Sequence, residues 1–252
     1  MRDPFSILNT LEAAYVLDVA TGRGDFIKIL RDNLKSYVKI IGVDSSDKNV
    51  DRAQKLFPEN DIEIYQMNLE ALRLDDNSFD LVTIADSLHH LENLEAVFSE
   101  MLRVLKPGGS LLVIEMYSDG DQTEAQKTHI MLHNWLAAID RKMGVFHHNI
   151  YSQEEILSLV NKLGLDDLII DDFYHPVDNP KDARSCESLK KTCQESFKRL
   201  ESLEDSEELI AEGNSLLDRI NDIGCASASK LLIMGIKPLS NKKKITRRNK
   251  CL

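Results

Sequence analysis

The sequence predicts an α/β protein, a doubly wound, seven-stranded and mostly parallel sheet with helices on both faces and a helical insertion before the last strand. Three observations carry that expectation. Short apolar runs alternate with segments of 3.6-residue apolar period from the start of the chain. The runs are apolar on both faces, which suits strands buried between two helical layers. A glycine-containing turn joins the first run to the first helix, the arrangement in which backbone N–H groups meet a ligand.

The expected strands cover residues 14–19, 38–44, 62–67, 80–85 and 110–116. Ile40, Ile41 and Val43, then Leu81, Val82 and Ile84, then Leu111 to Ile114 supply the two-sided apolar content. Crossover helices are read from the stripes Phe26/Ile27/Leu30/Leu34 and Leu94/Val97/Phe98/Met101/Leu102/Leu105. After Met116 the alternation breaks. A helix over 122–144 intervenes before a helix at 154–163 and a strand at 168–173. Over 182–224 the apolar positions predict two amphipathic helices with the acidic stretch 201–208 as their turn. The last strand is expected at 229–236, ended by Pro238. The domain plan is a core over 1–174 with a helical insert at 117–150, a hairpin at 175–227, a returning core strand at 228–239 and a basic tail at 240–252. The hairpin is either a lid over the acceptor pocket or a packing and dimerisation element. A lid is wanted because only some 15 residues precede the first motif.

Of the 252 residues 42% are hydrophobic and 29% charged, which excludes a disordered or fibrous chain. No apolar run reaches the roughly 18 to 20 residues a membrane crossing needs, and the opening residues lack a leader pattern, so a cytoplasmic protein is expected. The net charge is −11, and the bases crowded into 240–252 leave the body more acidic still. An acidic body repels phosphate backbones, so no nucleic-acid partner is expected, and the partners read from the sequence are a small-molecule acceptor and a second copy in a homodimer. The four cysteines, Cys186, Cys193, Cys225 and Cys251, all lie in the C-terminal third and make no disulfide framework. Cys186 and Cys193 could share a helix face and hold a soft acceptor such as arsenite, or be two small buried hydrophobes. His175, before Pro176, reads as a loop residue.

The stretch Val16-Leu-Asp-Val-Ala-Thr-Gly-Arg-Gly-Asp-Phe26 is a strand, a turn and a helix start. Gly22 and Gly24 let the backbone approach a ligand, and twenty residues after Gly24 a second strand ends in Asp44, where a carboxylate can accept ribose hydroxyls. A dinucleotide fingerprint needs a third glycine, and Ile27 or Asp25 stands there, which disfavours a nicotinamide-dependent oxidoreductase. Asp18, at the end of the first strand, can instead meet an ammonium group. A ligand with both an ammonium and a ribose is S-adenosylmethionine.

These residues resemble the class I S-adenosylmethionine-dependent methyltransferases, in the branch of the ubiquinone and menaquinone C-methyltransferases (type 11). Asp18, Ala20, Gly22 and Gly24 are similar to the family's D-x-G-x-G-x-G, with alanine replacing its first glycine. Asn68-Leu-Glu-Ala-Leu-Arg-Leu-Asp-Asp-Asn-Ser-Phe-Asp80 is similar to its D-A-E-x-L-P-F-x-D-x-S-F-D, with Asn68 for the adenine-contacting acid. Ala85-Asp-Ser-Leu-His-His90 and Arg103-Val-Leu-Lys-Pro-Gly-Gly109 resemble its fourth-strand exit and the turn before its fifth strand. The resemblance implies a Rossmann-like fold, S-adenosylmethionine as cofactor, and contacts from Asp18, Ala20, Gly22, Gly24, Asp44, Ser45, Asn68, Leu69 and Ala85.

Methyl transfer to oxygen or carbon of a small apolar or aromatic acceptor is the leading function, with a catalytically silent S-adenosylmethionine-binding module as the alternative. Candidate acceptor-side residues are His90, His129, His133, Asp140 and His148. At 100° per residue His129 and His133 differ by about 40° and His129 and Asp140 by about 20°, so one helix face carries all three. Gly144 ends that helix and lets His147 or His148 fold back. The face suits general-base chemistry, a divalent metal held by two histidines and an aspartate, or a polar surface that only hydrogen-bonds the next loop.

Overall fold

The computed structural model describes residues 4–58, 60–181 and 183–239. Seven strands, β1 (Glu12–Val19), β2 (Ser36–Asp44), β3 (Ile62–Gln66), β4 (Phe79–Ala85), β5 (Leu105–Met116), β6 (Asp166–Phe173) and β7 (Lys230–Ile236), form one sheet in the order β3-β2-β1-β4-β5-β7-β6. The pairs from β3 through β5 are parallel, and β7 runs antiparallel to both β5 and β6. The expected sheet is therefore present. Its antiparallel β7 departs from the all-parallel 3-2-1-4-5-6 order of dinucleotide-binding folds.

The helices are α1 (Asp25–Asn33), α2 (Asp47–Leu56), α3 (Leu94–Val104), α4 (Glu124–Lys142), α5 (Gln153–Asn161), α6 (Ala183–Leu200) and α7 (Glu207–Asp222). Local chemistry sets several of their starts. Ser46, Asn93, Thr123 and Ser152 each cap a helix through the side chain, the last two as reciprocal capping boxes with Gln126 and Glu155. The strand β5 starts five residues earlier than its apolar run. It passes through Lys106-Pro-Gly-Gly109 with a register jump, pairing Phe79 with Leu105 and Leu81 with Ser110. A Cβ on Gly109 would lie 2.9 Å from the Asp80 carbonyl oxygen, so the bulge needs glycine there.

One apolar cluster lies on each face of the sheet, around Leu17, Val82, Met101 and Val113 on one side and Val16, Ile27, Leu30 and Leu112 on the other. A third belongs to α4, α6 and α7, where Leu132, Trp135, Ile139, Cys193, Leu200 and Leu216 meet. The hairpin thus forms a three-helix bundle with α4. Trp135 donates from its indole N–H to the Leu209 carbonyl at 2.8 Å, and Arg219 reaches Glu124 at 2.6 Å. The outer strand β6 is different in kind: every residue but Phe173 is exposed, and Leu168-Ile-Ile170 is flanked by Asp166, Asp167, Asp171 and Asp172. The basic stretch 240–252, with Cys251, lies outside the described residues.

Candidate functional site

A cavity of about 800 Å³ opens at the C-terminal ends of β1, β2 and β4. The turn after β1 shapes one wall. Ala20, Gly22 and Gly24 all have positive φ (57°, 59° and 92°). For Ala20 that conformation costs roughly 1–2 kcal/mol, which the family's glycine would not incur. A Cβ on Gly22 would meet nothing within 4 Å, so its backbone borders open space, whereas one on Gly24 would lie 2.6 Å from the Phe57 ring.

Asp18 and Asp44 stand on either side of this turn. Asp44 accepts from the Gly22 N–H at 2.8 Å and the Ser46 N–H at 2.9 Å, so it closes the turn as well as facing the cavity. Asp18 is 1% exposed. Its Oδ1 accepts from the Thr83 hydroxyl at 2.7 Å, and its Oδ2 has no partner. Burial pushes its carboxyl up to about 7, against the opposing pull of Thr83. Ser45, Leu69 and Ala85 also line the cavity. Asn68 does not; its amide oxygen accepts from the Glu70 N–H at 3.0 Å and holds that turn.

Phe5, Phe26, Ile29, Ile114, Phe173 and His90 line the same cavity. Phe5 comes from a 3-10 segment, Pro4–Thr10, that periodicity did not reveal. It packs edge-on against Phe173 at 5.6 Å. This small element covers part of the cavity, which no described residue of α6 or α7 lines. His175, read as a loop residue, is on the cavity wall, and Lys230 reaches it paired to Asp86.

Behind His90 lies a cluster of imidazoles. His89 and His90 leave β4, His133 projects from α4, and His147 returns from the segment after Gly144. Ring centroids are 4.6 Å apart for His89 and His133, 4.2 Å for His90 and His147 and 5.1 Å for His133 and His147. Two carboxylates hold the rings. Glu115, 0% exposed, lies 3.0 Å from His89 Nδ1 and accepts the Leu88 N–H at 2.7 Å. Asp140 lies 2.6 Å from His147 Nδ1 and also binds Arg199. Burial, then the neighbouring imidazoles, push His133 down to about 2 and His90 to about 3, so both rings are neutral.

The expected constellation on α4 is therefore corrected in three places. His129 does share the face of His133, but its Nδ1 accepts from the Ala228 N–H at 3.1 Å, which takes it out of the cluster. Asp140 is not a partner of His129 and His133; it orients His147. His147, not His148, folds back: His148 stacks on Tyr151 at 4.2 Å and bonds the Asn149 carbonyl. The residue the sequence reading missed is Glu115, whose signal was a carboxylate inside the apolar run of β5. The three described cysteines behave as small hydrophobes. Cys193 sits in the bundle and Cys186 beside Cys225 and the Pro180 carbonyl, away from the cavity, and burial pushes Cys193 up to about 11 and Cys225 up to about 12.

Residues 17–113 match the family described as a methyltransferase domain. The chain is similar to the ubiquinone/menaquinone biosynthesis C-methyltransferase UbiE of Hahella chejuensis, 41% identical over 107 residues, which are 40% of this chain and 43% of that one. It is also similar to the demethylmenaquinone methyltransferase of Oceanobacillus iheyensis, 32% identical over 117 residues, 45% of this chain and 49% of that one. The chain thus aligns with less than half the length of these curated relatives. Among solved structures, YcgJ from Bacillus subtilis superposes with a TM-score of 0.57 at 20% identity, covering 89% of this chain and 92% of that one. The [4+2]-cyclase SpnF superposes with a TM-score of 0.60 at 19% identity, covering 93% and 78%. At these identities the superpositions speak for the fold alone. The sequence match, the strand order and the two carboxylates about the glycine turn agree, and residues 17–113 of the chain are a class I S-adenosylmethionine-dependent methyltransferase domain.

Proposed function

We propose that the protein transfers the methyl group of S-adenosylmethionine to an oxygen or carbon of a small apolar or aromatic acceptor. One observation carries the reading: Asp18, with an unpartnered buried oxygen, and Asp44 share one cavity with the open backbone of Gly22. These residues fit the cofactor, Asp18 toward its ammonium group and Asp44 toward its ribose hydroxyls. When bound, the cofactor supplies a sulfonium whose methyl group is already activated. What remains for the chain is to hold a nucleophile in line at near-attack distance and keep water away. Phe5, Phe26, Ile29 and Phe173 provide an apolar wall, and His90 lines the same cavity, where its imidazole would face the polar group of an acceptor.

Similarity to a ubiquinone/menaquinone biosynthesis C-methyltransferase makes methylation at carbon one version. The family match ends at residue 113, however, and α4, the imidazole cluster, Phe173 and Lys230 lie beyond it. The acceptor side is therefore read from this chain's own residues. Calorimetry with S-adenosylhomocysteine tests the cofactor half. The substitution Asp44→Ala should weaken binding about ten- to a hundredfold, the loss of a charge-assisted hydrogen bond, and unchanged affinity removes Asp44 from the site. A chain that binds S-adenosylmethionine tightly yet methylates none of a panel of phenols, enols and quinols is a binding module instead.

A further inference from the structure

We infer that His89, His90, His133 and His147 form a binding site for a divalent first-row transition metal, zinc above all, in the wall of the cavity. Each ring offers one nitrogen, and the four nitrogens lie within 4.8 Å of one another. Zinc–imidazole bonds of about 2.0–2.1 Å put tetrahedral donors roughly 3.4 Å apart, so closure needs small ring rotations, most easily of the exposed His90. The Nε2 atoms of His89 and His147 and Nδ1 of His133 are buried with no hydrogen-bond partner, and His89 and His147 are only 1% and 4% exposed. Buried ring nitrogens ordinarily find partners, and here three without one converge on one spot.

The surroundings aim them there. Glu115 at His89 Nδ1 and Asp140 at His147 Nδ1 fix the proton on the outer nitrogen, leaving each inner Nε2 as a lone pair. A carboxylate behind a histidine is how proteins orient imidazole ligands toward a metal. The donor set is all nitrogen, which selects zinc, cobalt, nickel or copper over magnesium or calcium. His89 and His147 are buried and His133 is half-buried, and of the four His90 alone lines the cavity. It is the ligand that an acceptor's oxygen would displace, and this placement at the acceptor end rests on the methyltransferase reading, whereas the metal site does not.

The full chain, stripped with a chelator and titrated with Co²⁺ and Zn²⁺ in the absence of any nucleoside, tests the site. One metal per chain is expected, with the visible bands of tetrahedral nitrogen-ligated cobalt that zinc bleaches. His133→Ala should weaken Co²⁺ binding about a hundredfold or more and Asp140→Asn at least about tenfold, while His129→Ala and His148→Ala leave it unchanged. Should His133→Ala fail to fold, His90→Ala at the exposed rim serves, with a changed cobalt spectrum and weaker binding expected. Substoichiometric binding by the folded wild type overturns the site, as does an affinity and spectrum indifferent to His133→Ala or His90→Ala, or binding lost with His129→Ala. Binding of S-adenosylhomocysteine by the metal-free chain is read separately. Metal-free chain that binds it but takes up no metal overturns only the metal site, and the reverse result overturns only the methyltransferase reading.

Discussion

Asp18 sits where burial disfavours its charge, a cost that an ammonium ligand would offset. Its folded value of about 7 lies above the ordinary 3.8, so between these pH values the folded chain holds a proton that the unfolded chain has released. Its contribution to stability is greatest below about pH 4 and is lost as pH rises through 7, a difference of about 4 kcal/mol. An ammonium group placed beside it favours the carboxylate. S-adenosylhomocysteine should therefore bind several-fold more weakly at pH 6 than at pH 8, and Asp18→Asn should flatten that profile, weaken binding at pH 8 and make the free chain more resistant to urea there. Calorimetry at the two pH values and urea unfolding at pH 8 check both halves; a wild-type affinity flat across pH separates Asp18 from the ammonium. Residues of this kind were legible because the turn chemistry is local: Asp18, Gly22 and Asp44 declare themselves by position along the chain. The imidazoles were half legible. Helical angles put His129 and His133 together, but only tertiary contacts decide that the Ala228 N–H captures one of them and that His147 rather than His148 turns inward.

Helix α4 works on two faces. One presents His133, and the other buries Trp135 and Ile139 against the hairpin. Gly213 on α7 is where the hairpin comes closest. A Cβ there would lie 2.5 Å from Trp135 Cζ2 and 2.7 Å from Phe197 Cζ, so Gly213→Val should overpack the bundle and destabilise the chain by about 1–3 kcal/mol. Because no described residue of α6 or α7 lines the cavity, S-adenosylhomocysteine affinity of the folded variant should stay within about twofold of wild type. Denaturant melts and calorimetry on the same preparation check this, and a large loss of affinity without loss of stability defeats the packing role. The hairpin was legible as two amphipathic stripes about an acidic turn. What it packs on was not, since periodicity gives a face but not the element that covers it. Helix α2 was missed for the opposite reason: only Val50 and Ala53 are buried, too few for a stripe.

At the scale of the molecule, the cavity joins the ends of three strands, so a ligand there would tie together segments distant in sequence. S-adenosylhomocysteine at a hundred times its dissociation constant should add about 2.7 kcal/mol and raise the melting temperature by roughly 5–10 °C. Differential scanning fluorimetry checks it, and the shift should shrink markedly in Asp44→Ala at the same ligand concentration. The seven-stranded plan was readable because each central strand is apolar on both faces, and it is the outer strand β6 that breaks that rule. There the three exposed aliphatic residues, Leu168 to Ile170, are bracketed by four aspartates, and Asp167 at φ 51° marks a register slip against β7. Unpaired backbone along such a strand is a template for a second chain. The brackets of like charge and the local kink make that annealing costly, so the segment most able to seed aggregation carries its own deterrent.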